Sequence, residues 1–192
     1  MASQKPVRKI DARSLRALAH PLRVRMLDVL RTEGPATSAR LAERFGESTG
    51  TVSWHLRHLA EHGFIAEDVE RGTRRERWWQ ASDATHVVET AELRKDPGAR
   101  AAVDAYIEEM IQQGFRRART YFASRWPEEW ERTGTIAHWD TLKLTPQQLQ
   151  ALNQELMAVV EKHTPAEGAE PEPGALPVSV QLQSFPRLER ND

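Results

Sequence analysis

Apolar residues in the first third of the chain recur at helical spacing in four short segments. The helices predicted from this pattern begin at Asp11, at Pro21, at Thr37 or Ser38, and directly after Ser48. In the second helix, the apolar stripe predicts that Arg23 and Arg25 face outward. Gly46 ends the third helix shortly before Ser48, so that only a tight turn separates the third helix from the fourth. Gly63 ends the fourth helix. This arrangement predicts a helix-turn-helix, whose second helix can enter the major groove of DNA.

Two strand-like runs follow the fourth helix and predict a wing. The runs are Phe64–Val69 and Glu76–Gln80, and the tip between them contains Arg71, Arg74 and Arg75. Trp78 and Trp79 are neighbours on the second run, so one is expected to pack under the wing and the other to face outward. Residues 11–81 are therefore predicted to form a winged helix-turn-helix domain, preceded by a flexible tail at residues 1–10.

The next part of the chain predicts a connector and a long helix. Residues 82–97 are interpreted as a connector with a short extended segment at His86–Val88. Asp96 and Pro97 are typical of a helix start, and the long helix occupies most of residues 98–133. Its apolar stripe is too long to be buried on one small domain, which favours dimerisation through Val103, Ile107, Met110, Ile111, Ala118 and Phe122. Packing of this helix on the C-terminal segment is the alternative.

Residues 134–192 are predicted to form a small strand–helix–strand unit. Ile136–Leu144 alternates like a strand, and Thr145 with Gln148 is typical of a capping box at the start of a helix. Residues 164–176 are interpreted as an acidic linker, and Pro177–Phe185 predicts a second strand. The fold class expected for the whole chain is α+β and mostly helical, with a winged helix-turn-helix domain, a long dimerisation helix and this unit.

The charge of the chain is divided between its two halves. Residues 1–81 carry 15 Lys and Arg against 10 Asp and Glu, whereas residues 82–192 carry 12 against 18. The excess positive charge therefore accompanies the predicted helix-turn-helix and wing, where DNA phosphates would lie. The lack of cysteine excludes disulfides, thiol catalysis and thiolate metal sites.

Other classes of protein lack a signature in the sequence. The chain has no apolar run of about 18 residues and no secretory leader, so a cytoplasmic protein without a membrane span is expected. It has no glycine-rich phosphate-binding loop, no motif of a serine–histidine–aspartate catalytic triad and no cluster of metal ligands. The protein is therefore not predicted to be an enzyme or to bind a cofactor or a metal.

The motifs, taken in order, resemble those of ArsR-type bacterial transcriptional regulators. The segment LAHPLRVRMLDVL at Leu18–Leu30 is similar to the opening helices of that family, and GTVSWHLRHL at Gly50–Leu59 is similar to its recognition helix. The resemblance covers about residues 10–81. It implies a homodimeric repressor whose affinity for double-stranded DNA changes when a signal binds. Thr37–Ala42 lacks the thiols of the family's metal motif, which implies a branch that does not sense metals.

The resemblance and the helical pattern together predict the residues that contact DNA. By resemblance, Ser53 and His55 match a Ser-x-His pair of the recognition helix, and Arg74 and Arg75 match a basic wing tip. The full predicted set is Ser48, Thr49, Thr51, Ser53, Trp54, His55, Arg57, His58, Arg71, Arg74 and Arg75. For His55, which lies at the edge of the apolar stripe, a packed core histidine is the alternative. His58 and His62 have the spacing of some metal sites, but without a third ligand nearby they are more typical of surface residues.

Two functions stay open at this stage. The first is a sequence-specific regulator that binds a palindromic operator as a homodimer, and the second is a winged-helix protein-interaction module that does not bind DNA specifically. The charge division and the arginine-rich wing favour the first. The C-terminal residues are interpreted either as an enlarged dimer interface or as a pocket for a small organic effector, lined by Tyr121, Trp126, Trp130, His138 and Asp140.

Overall fold

The computed structural model describes residues 7–72, 76–82, 85–166 and 169–187. The chain divides into two compact units, Lys5–Arg116 and Arg117–Asp192, and the boundary lies inside one long helix. The fold is α+β and mostly helical, as predicted, and the first unit contains a winged helix-turn-helix arrangement. No helix in the described part of the chain is long and apolar enough to cross a bilayer.

The elements of the first unit follow the predicted order, with short strands and a short helix added. They are β1 (Val7–Lys9), α1 (Ala12–Leu18), α2 (Pro21–Thr32), β2 (Ala36–Thr37), α3 (Ser38–Phe45), α4 (Thr49–Glu61), β3 (Ile65–Glu67), β4 (Trp78–Ala81), β5 (Thr85–Val87), α5 (Thr90–Leu93) and α6 (Arg100–Ala123). Helix α6 continues into the second unit, which also holds α7 (Glu128–Glu131) and α8 (Pro146–Lys162).

Side-chain caps define where the first three helices begin. The carboxylate of Asp11 accepts the backbone N–H three residues ahead of it at 2.7 Å, and the hydroxyl of Thr37 does the same at 3.3 Å. Both predicted caps are therefore confirmed. The ring of His20 caps α2, because its Nδ1 accepts the N–H of Leu22 at 3.2 Å. Pro21 then occupies the first helical position, where a missing N–H costs nothing.

Strand β4 is the centre of the wing sheet, which has the order β2-β4-β3 and is antiparallel. Trp79 pairs with Ala36 on one side and with Glu67 on the other. The Trp79 side chain is buried in the core, whereas that of Trp78 is half-buried and lies 4.7 Å from the guanidinium of Arg40. The opposite orientation of the two tryptophans is confirmed. Strand β2 was missed because two residues are too few to show an alternating pattern.

The segment before α1 forms a strand in its second half. Strand β1 pairs in parallel with β5, with Arg8 opposite His86. Nη1 of Arg8 donates to the carbonyl of His62 at 2.8 Å, and Ile10 is buried in the core. The prediction of a flexible tail is therefore wrong for residues 7–10, because the strand that orders them lies far along the chain. Residues 1–6 of the predicted tail lie outside the described residues.

The core of the first unit joins the apolar faces of α1 to α4 with the buried side of the wing. The least exposed large side chains are Leu15, Met26, Leu41, Val52, Leu56, Leu59, Phe64 and Val103. Val103 brings α6 into this core, and Ile107 packs against its edge. Val103 therefore stabilises its own chain, which corrects its predicted role in dimerisation, whereas Ile107 is only partly buried and its role there stays a prediction.

Helix α6 begins at Arg100, later than the sequence predicted. The carboxylate of Asp96 accepts the N–H of Gly98 at 2.8 Å and so caps a turn that precedes the helix. The backbone hydrogen bond that leads into the helix is donated by the N–H of Val103 to the carbonyl of Ala99, at 2.9 Å. The pattern of Asp followed by Pro is typical of turns as well as of helix starts, which explains the difference.

The second unit contains the predicted helix but not the predicted strands. Helix α8 carries the complete capping box of Thr145 and Gln148. Residues 134–145 and 175–187 adopt no regular structure, and their large apolar side chains, including Trp139 and Phe185, are exposed. The strand–helix–strand prediction is therefore wrong. An alternating pattern forms a strand only when a neighbouring edge bonds its backbone, and these segments do not pair with each other in the described chain.

Candidate nucleic-acid interface

The turn between α3 and α4 determines how α4 is presented. Gly46 ends α3 with a φ of 68°, in the left-handed region that glycine adopts without strain. Ser48 then caps α4, since its Oγ accepts the N–H of Thr51 at 3.0 Å and lies 2.8 Å from the Thr51 hydroxyl. Ser48 and Thr49 are exposed at this N-terminus. The partial positive charge of a helix N-terminus favours phosphate groups nearby.

The outward face of α4 is centred on Trp54. Its side chain is 53% exposed, and its ring stacks on that of His58 with centres 5.6 Å apart and planes 4° apart. Thr51 and Arg57 are exposed, and Ser53 is half-buried. Nε of Arg57 donates to the carbonyl of Ser53 at 3.2 Å, which holds the guanidinium close to the helix. This face therefore offers apolar, hydroxyl and cationic groups to a partner.

The inward face of α4 includes a histidine. His55 is buried together with Val52, Leu56 and Leu59, and the residue is 5% exposed. The ring packs against that of His20, with centres 4.6 Å apart. The side chain of His55 thus points into the core, where it does not reach a groove. This position corrects the predicted DNA contact and agrees with the alternative of a packed core histidine.

Arg23 of α2 lies beneath α4, although the sequence predicted that it faces outward. Its side chain is buried, with Nη1 3.5 Å from Nδ1 of His55 and Nη2 donating to the carbonyl of Arg16 at 3.4 Å. Nε has no hydrogen-bond partner in the described part of the chain. The guanidinium carbon is 6.0 Å from the centre of the Trp54 ring. Arg23 therefore supports Trp54 and His55 from below, a role that helical periodicity alone does not reveal.

Burial and nearby positive charge keep three histidines of this region neutral. Burial, followed by the charges of His20 and Arg23, lowers the pKa of His55 to about 4. Burial, with a contribution from Arg23, also lowers the pKa of His20 and of His58. Positive charge on the outward face of α4 at neutral pH therefore comes from Arg57 rather than from these imidazoles.

The described part of the wing is held by Asp68. This carboxylate is buried, accepts the backbone N–H of Arg71 at 3.2 Å and lies 3.3 Å from Nε of Arg71. The Arg71 side chain is nevertheless 60% exposed and therefore accessible at the base of the wing tip. Arg74 and Arg75, the predicted contacts at the tip itself, lie outside the described residues.

A family model described as a helix-turn-helix domain matches residues 18–68. This chain carries a helix-turn-helix domain. The match extends from the last residue of α1 through α2, α3 and α4 to just beyond β3, and so contains the outward face of Trp54. Together with the winged fold, the helix-turn-helix domain supports a DNA-binding regulator.

The chain is also similar to three solved structures of regulators. A possible transcriptional regulator for arsenical resistance is 25% identical, with 58% of this chain and 97% of that chain covered at a TM-score of 0.32. An ArsR family transcriptional regulator is 26% identical over 56% and 92% of the two chains, also at 0.32. A transcriptional regulator from Thermotoga maritima is 15% identical over 78% and 85%, again at 0.32. No curated protein matches the chain.

The later part of the α6 stripe lies outside the core of the helix-turn-helix domain. Met110, Ile111 and Phe122 are exposed, and Ala118 is half-buried. Phe115 is 61% exposed and was missed by the sequence interpretation. Its position four residues after Ile111 and seven before Phe122 places it on the same side of the helix, which was the available signal.

The residues predicted to line an effector pocket are three aromatic residues from the end of α6 to α7, and two polar residues in the segment after α7. The rings of Tyr121 and Trp126 are 5.3 Å apart, the Tyr121 hydroxyl donates to the carbonyl of Trp130, and the Trp126 indole N–H donates to the carbonyl of Tyr121, both at 2.9 Å. His138 and Asp140 are exposed in an irregular segment, not on a strand face. The Tyr121 hydroxyl and the Trp126 indole N–H already bond to backbone carbonyls. This aromatic group therefore closes the end of α6 and offers few free polar atoms to a ligand.

Proposed function

We propose that this protein is a sequence-specific DNA-binding transcriptional regulator whose helix α4 enters the major groove. The observation that carries the proposal is the division of α4 into a fully buried face and an exposed face centred on Trp54. An α-helix with its side chains is about 10–12 Å wide, which suits a groove about 12 Å wide. In this arrangement Trp54 contacts a thymine methyl, and Thr51 and His58 lie over neighbouring base edges.

The DNA phosphates are the proposed partners of the polar groups around that face. Ser48 and Thr49 present the N-terminus of α4, and Arg57 and Arg71 supply positive charge on α4 and at the base of the wing. Arg74 and Arg75 complete the proposed set by their place in the sequence. Contacts of this kind position a protein on the duplex and make its affinity depend on salt.

We propose further that two copies associate through α6. Ile111, Phe115 and Phe122 are exposed on one side of this helix, and burying such a stripe against a second copy removes apolar surface from water. A two-fold dimer presents two α4 helices to half-sites about 34 Å apart, so the proposed operator is palindromic. The resemblance to ArsR-type regulators favours a repressor. No effector site is proposed at the aromatic group of Tyr121, because the Tyr121 hydroxyl and the Trp126 indole N–H already bond to backbone carbonyls.

A titration of labelled duplex DNA at several salt concentrations tests the DNA-binding proposal. The protein is expected to bind duplex DNA at low salt, with an affinity whose logarithm falls linearly with the logarithm of the salt concentration. Arg57→Ala and Arg71→Ala should each flatten that slope by about 1, because each variant binds one phosphate fewer. Arg132→Ala removes an exposed arginine of the second unit and is the matched control. A protein that binds no duplex at low salt contradicts the proposal and supports the protein-interaction module.

A further inference from the structure

The C-terminal end of α4 gathers three side chains with metal-ligand chemistry. One ligating atom from each of His58, Glu61 and His62 lies within 4.8 Å of the other two. Nδ1 of His58 is 3.7 Å from a carboxylate oxygen of Glu61, and the centres of the two imidazoles are 4.7 Å apart. The spacing of the two histidines is visible in the sequence, and Glu61 stands directly before His62 in the last turn of the helix.

The imidazole of His62 is held in an orientation that suits ligation. Nδ1 of His62 is 2.9 Å from the carbonyl of His58, and a carbonyl can only accept, so the proton of neutral His62 is on Nδ1. Nε2 of His62 is then the unprotonated nitrogen that binds a cation. A carbonyl that orients a histidine through its other nitrogen is common at zinc sites. The ring of His58 lies parallel to that of Trp54, and its Nδ1 is on the side of Glu61.

We propose that His58, Glu61 and His62 bind one divalent transition-metal ion, and that Zn²⁺ fits this ligand set best. Two imidazole nitrogens and one carboxylate oxygen are typical zinc ligands at about 2.0–2.2 Å, and water takes the fourth position. The Glu61 side chain is 70% exposed, so it can rotate to shorten the remaining distances. Calcium and magnesium prefer sets made of oxygen atoms and fit two imidazoles poorly.

The ion has a consequence for DNA binding, and this part of the inference rests on the proposed function. Trp54, Arg57, His58 and Glu61 line one open cleft of about 200 Å³ on the outward face of α4. Without an ion, the Glu61 carboxylate repels DNA phosphates. A bound Zn²⁺ makes the local charge positive, because a metal ion is the largest charge in such a site. Zinc therefore raises the affinity for duplex DNA, most strongly at low salt.

Calorimetric titration of Zn²⁺ into the full-length, untagged protein, with no DNA present, tests the site. One equivalent of zinc is expected to bind. His62→Gln should weaken this binding by about tenfold or more, since even the loss of an outer-shell partner costs that much at zinc sites. Glu61→Gln should also weaken it, and this exposed substitution carries little risk to folding. His163→Gln, at the exposed end of α8, is the matched control and should bind zinc like the parent.

The outcomes separate the metal site from the proposed function. A parent protein without saturable one-to-one binding overturns the site, as does a His62→Gln protein that binds zinc as tightly as His163→Gln. Neither result depends on DNA. In a second measurement, duplex affinity is compared with and without zinc. If zinc increases the duplex affinity of the parent but not of His62→Gln, the regulatory role is supported. If zinc leaves the duplex affinity of the parent unchanged or reduces it, that role is overturned.

Discussion

Nη1 of Arg23 lies 3.5 Å from Nδ1 of His55, so that a buried cation of α2 directly supports the helix that carries Trp54. An arginine can only donate, and Nδ1 of His55 therefore accepts, which places the proton of the neutral imidazole on Nε2. The same guanidinium lies 6.0 Å from the Trp54 ring, at the limit of cation–π attraction. The most exposed aromatic ring of α4 thus lies over two buried side chains, since the His55 ring is also edge-on to it with centres 4.8 Å apart.

Acid should destabilise the protein through His55. Its pKa is about 4 in the folded protein, against an ordinary value of 6.5, so protons bind the unfolded chain more tightly between these values. The stability that neutral His55 provides is complete above about pH 6.5 and declines as the pH falls towards 4. In urea unfolding at a series of pH values, His55→Gln should flatten this fall. Each pKa unit of separation contributes at most about 1.4 kcal/mol.

The matched control for this experiment is His163→Gln, which removes an exposed histidine at the end of α8. It should keep the parent's pH dependence throughout the same window. If His55→Gln and the parent lose unfolding free energy equally as the pH falls, a buried, neutral His55 is not the cause of the acid sensitivity.

The turn from α4 to β3 should favour glycine at position 63. Gly63 has a φ of 69°, and a Cβ there would collide with the guanidinium of Arg8. We expect Gly63→Ala to lower the free energy of unfolding by about 1–2 kcal/mol. Gly50→Ala within α4 is the control, because its Cβ would meet only the Ser48 hydroxyl at 3.7 Å. That change should be neutral or stabilising by about 0.5–1 kcal/mol, and equal losses in the two variants would contradict this account.

Charged residues on the exposed stripe of α6 should separate the proposed dimer. Ile111→Glu combined with Phe115→Glu places two carboxylates where apolar side chains would meet a second copy. Light scattering is expected to give the mass of one chain for this variant and of two chains for the parent. Gln112→Glu adds a carboxylate on another side of α6 and should leave the parent's mass unchanged. A double variant that keeps the dimer mass, with unchanged helix content, places the interface elsewhere.

Local signals were sufficient to predict the elements that present the site. Ser48 caps α4, and Gly46 and Gly63 mark the ends of the two helices around it, because capping and left-handed turns depend on a few adjacent residues. Helical periodicity also placed Trp54 on the outward face. It could not place His55, which lies at the edge of the stripe, where a rotation of a few tens of degrees decides between core and surface.

Features that depend on distant partners were not predictable in the same way. Arg23 is buried because α4 covers it, and residues 7–9 form a strand because β5 lies beside them. Conversely, the alternation of Ile136–Leu144 predicted a strand that the described chain does not form. Alternation shows that a segment is compatible with a sheet, but the sheet also requires a neighbouring edge to bond the backbone.

The most direct test of sequence-specific DNA recognition by α4 is the ratio of the protein's affinities for a preferred duplex and for a scrambled duplex. The preferred duplex is first selected from random sequences with the parent protein, and both duplexes have the same length. A wrong base pair in a specific site costs about 1–3 kcal/mol, so Trp54→Ala, which removes the proposed contact with one base pair, should lower the ratio by roughly fivefold to 150-fold. Trp139→Ala, which removes an exposed tryptophan of the second unit, should leave the ratio unchanged. A Trp54→Ala protein with the parent's ratio, or a parent that selects no sequence, would contradict the account.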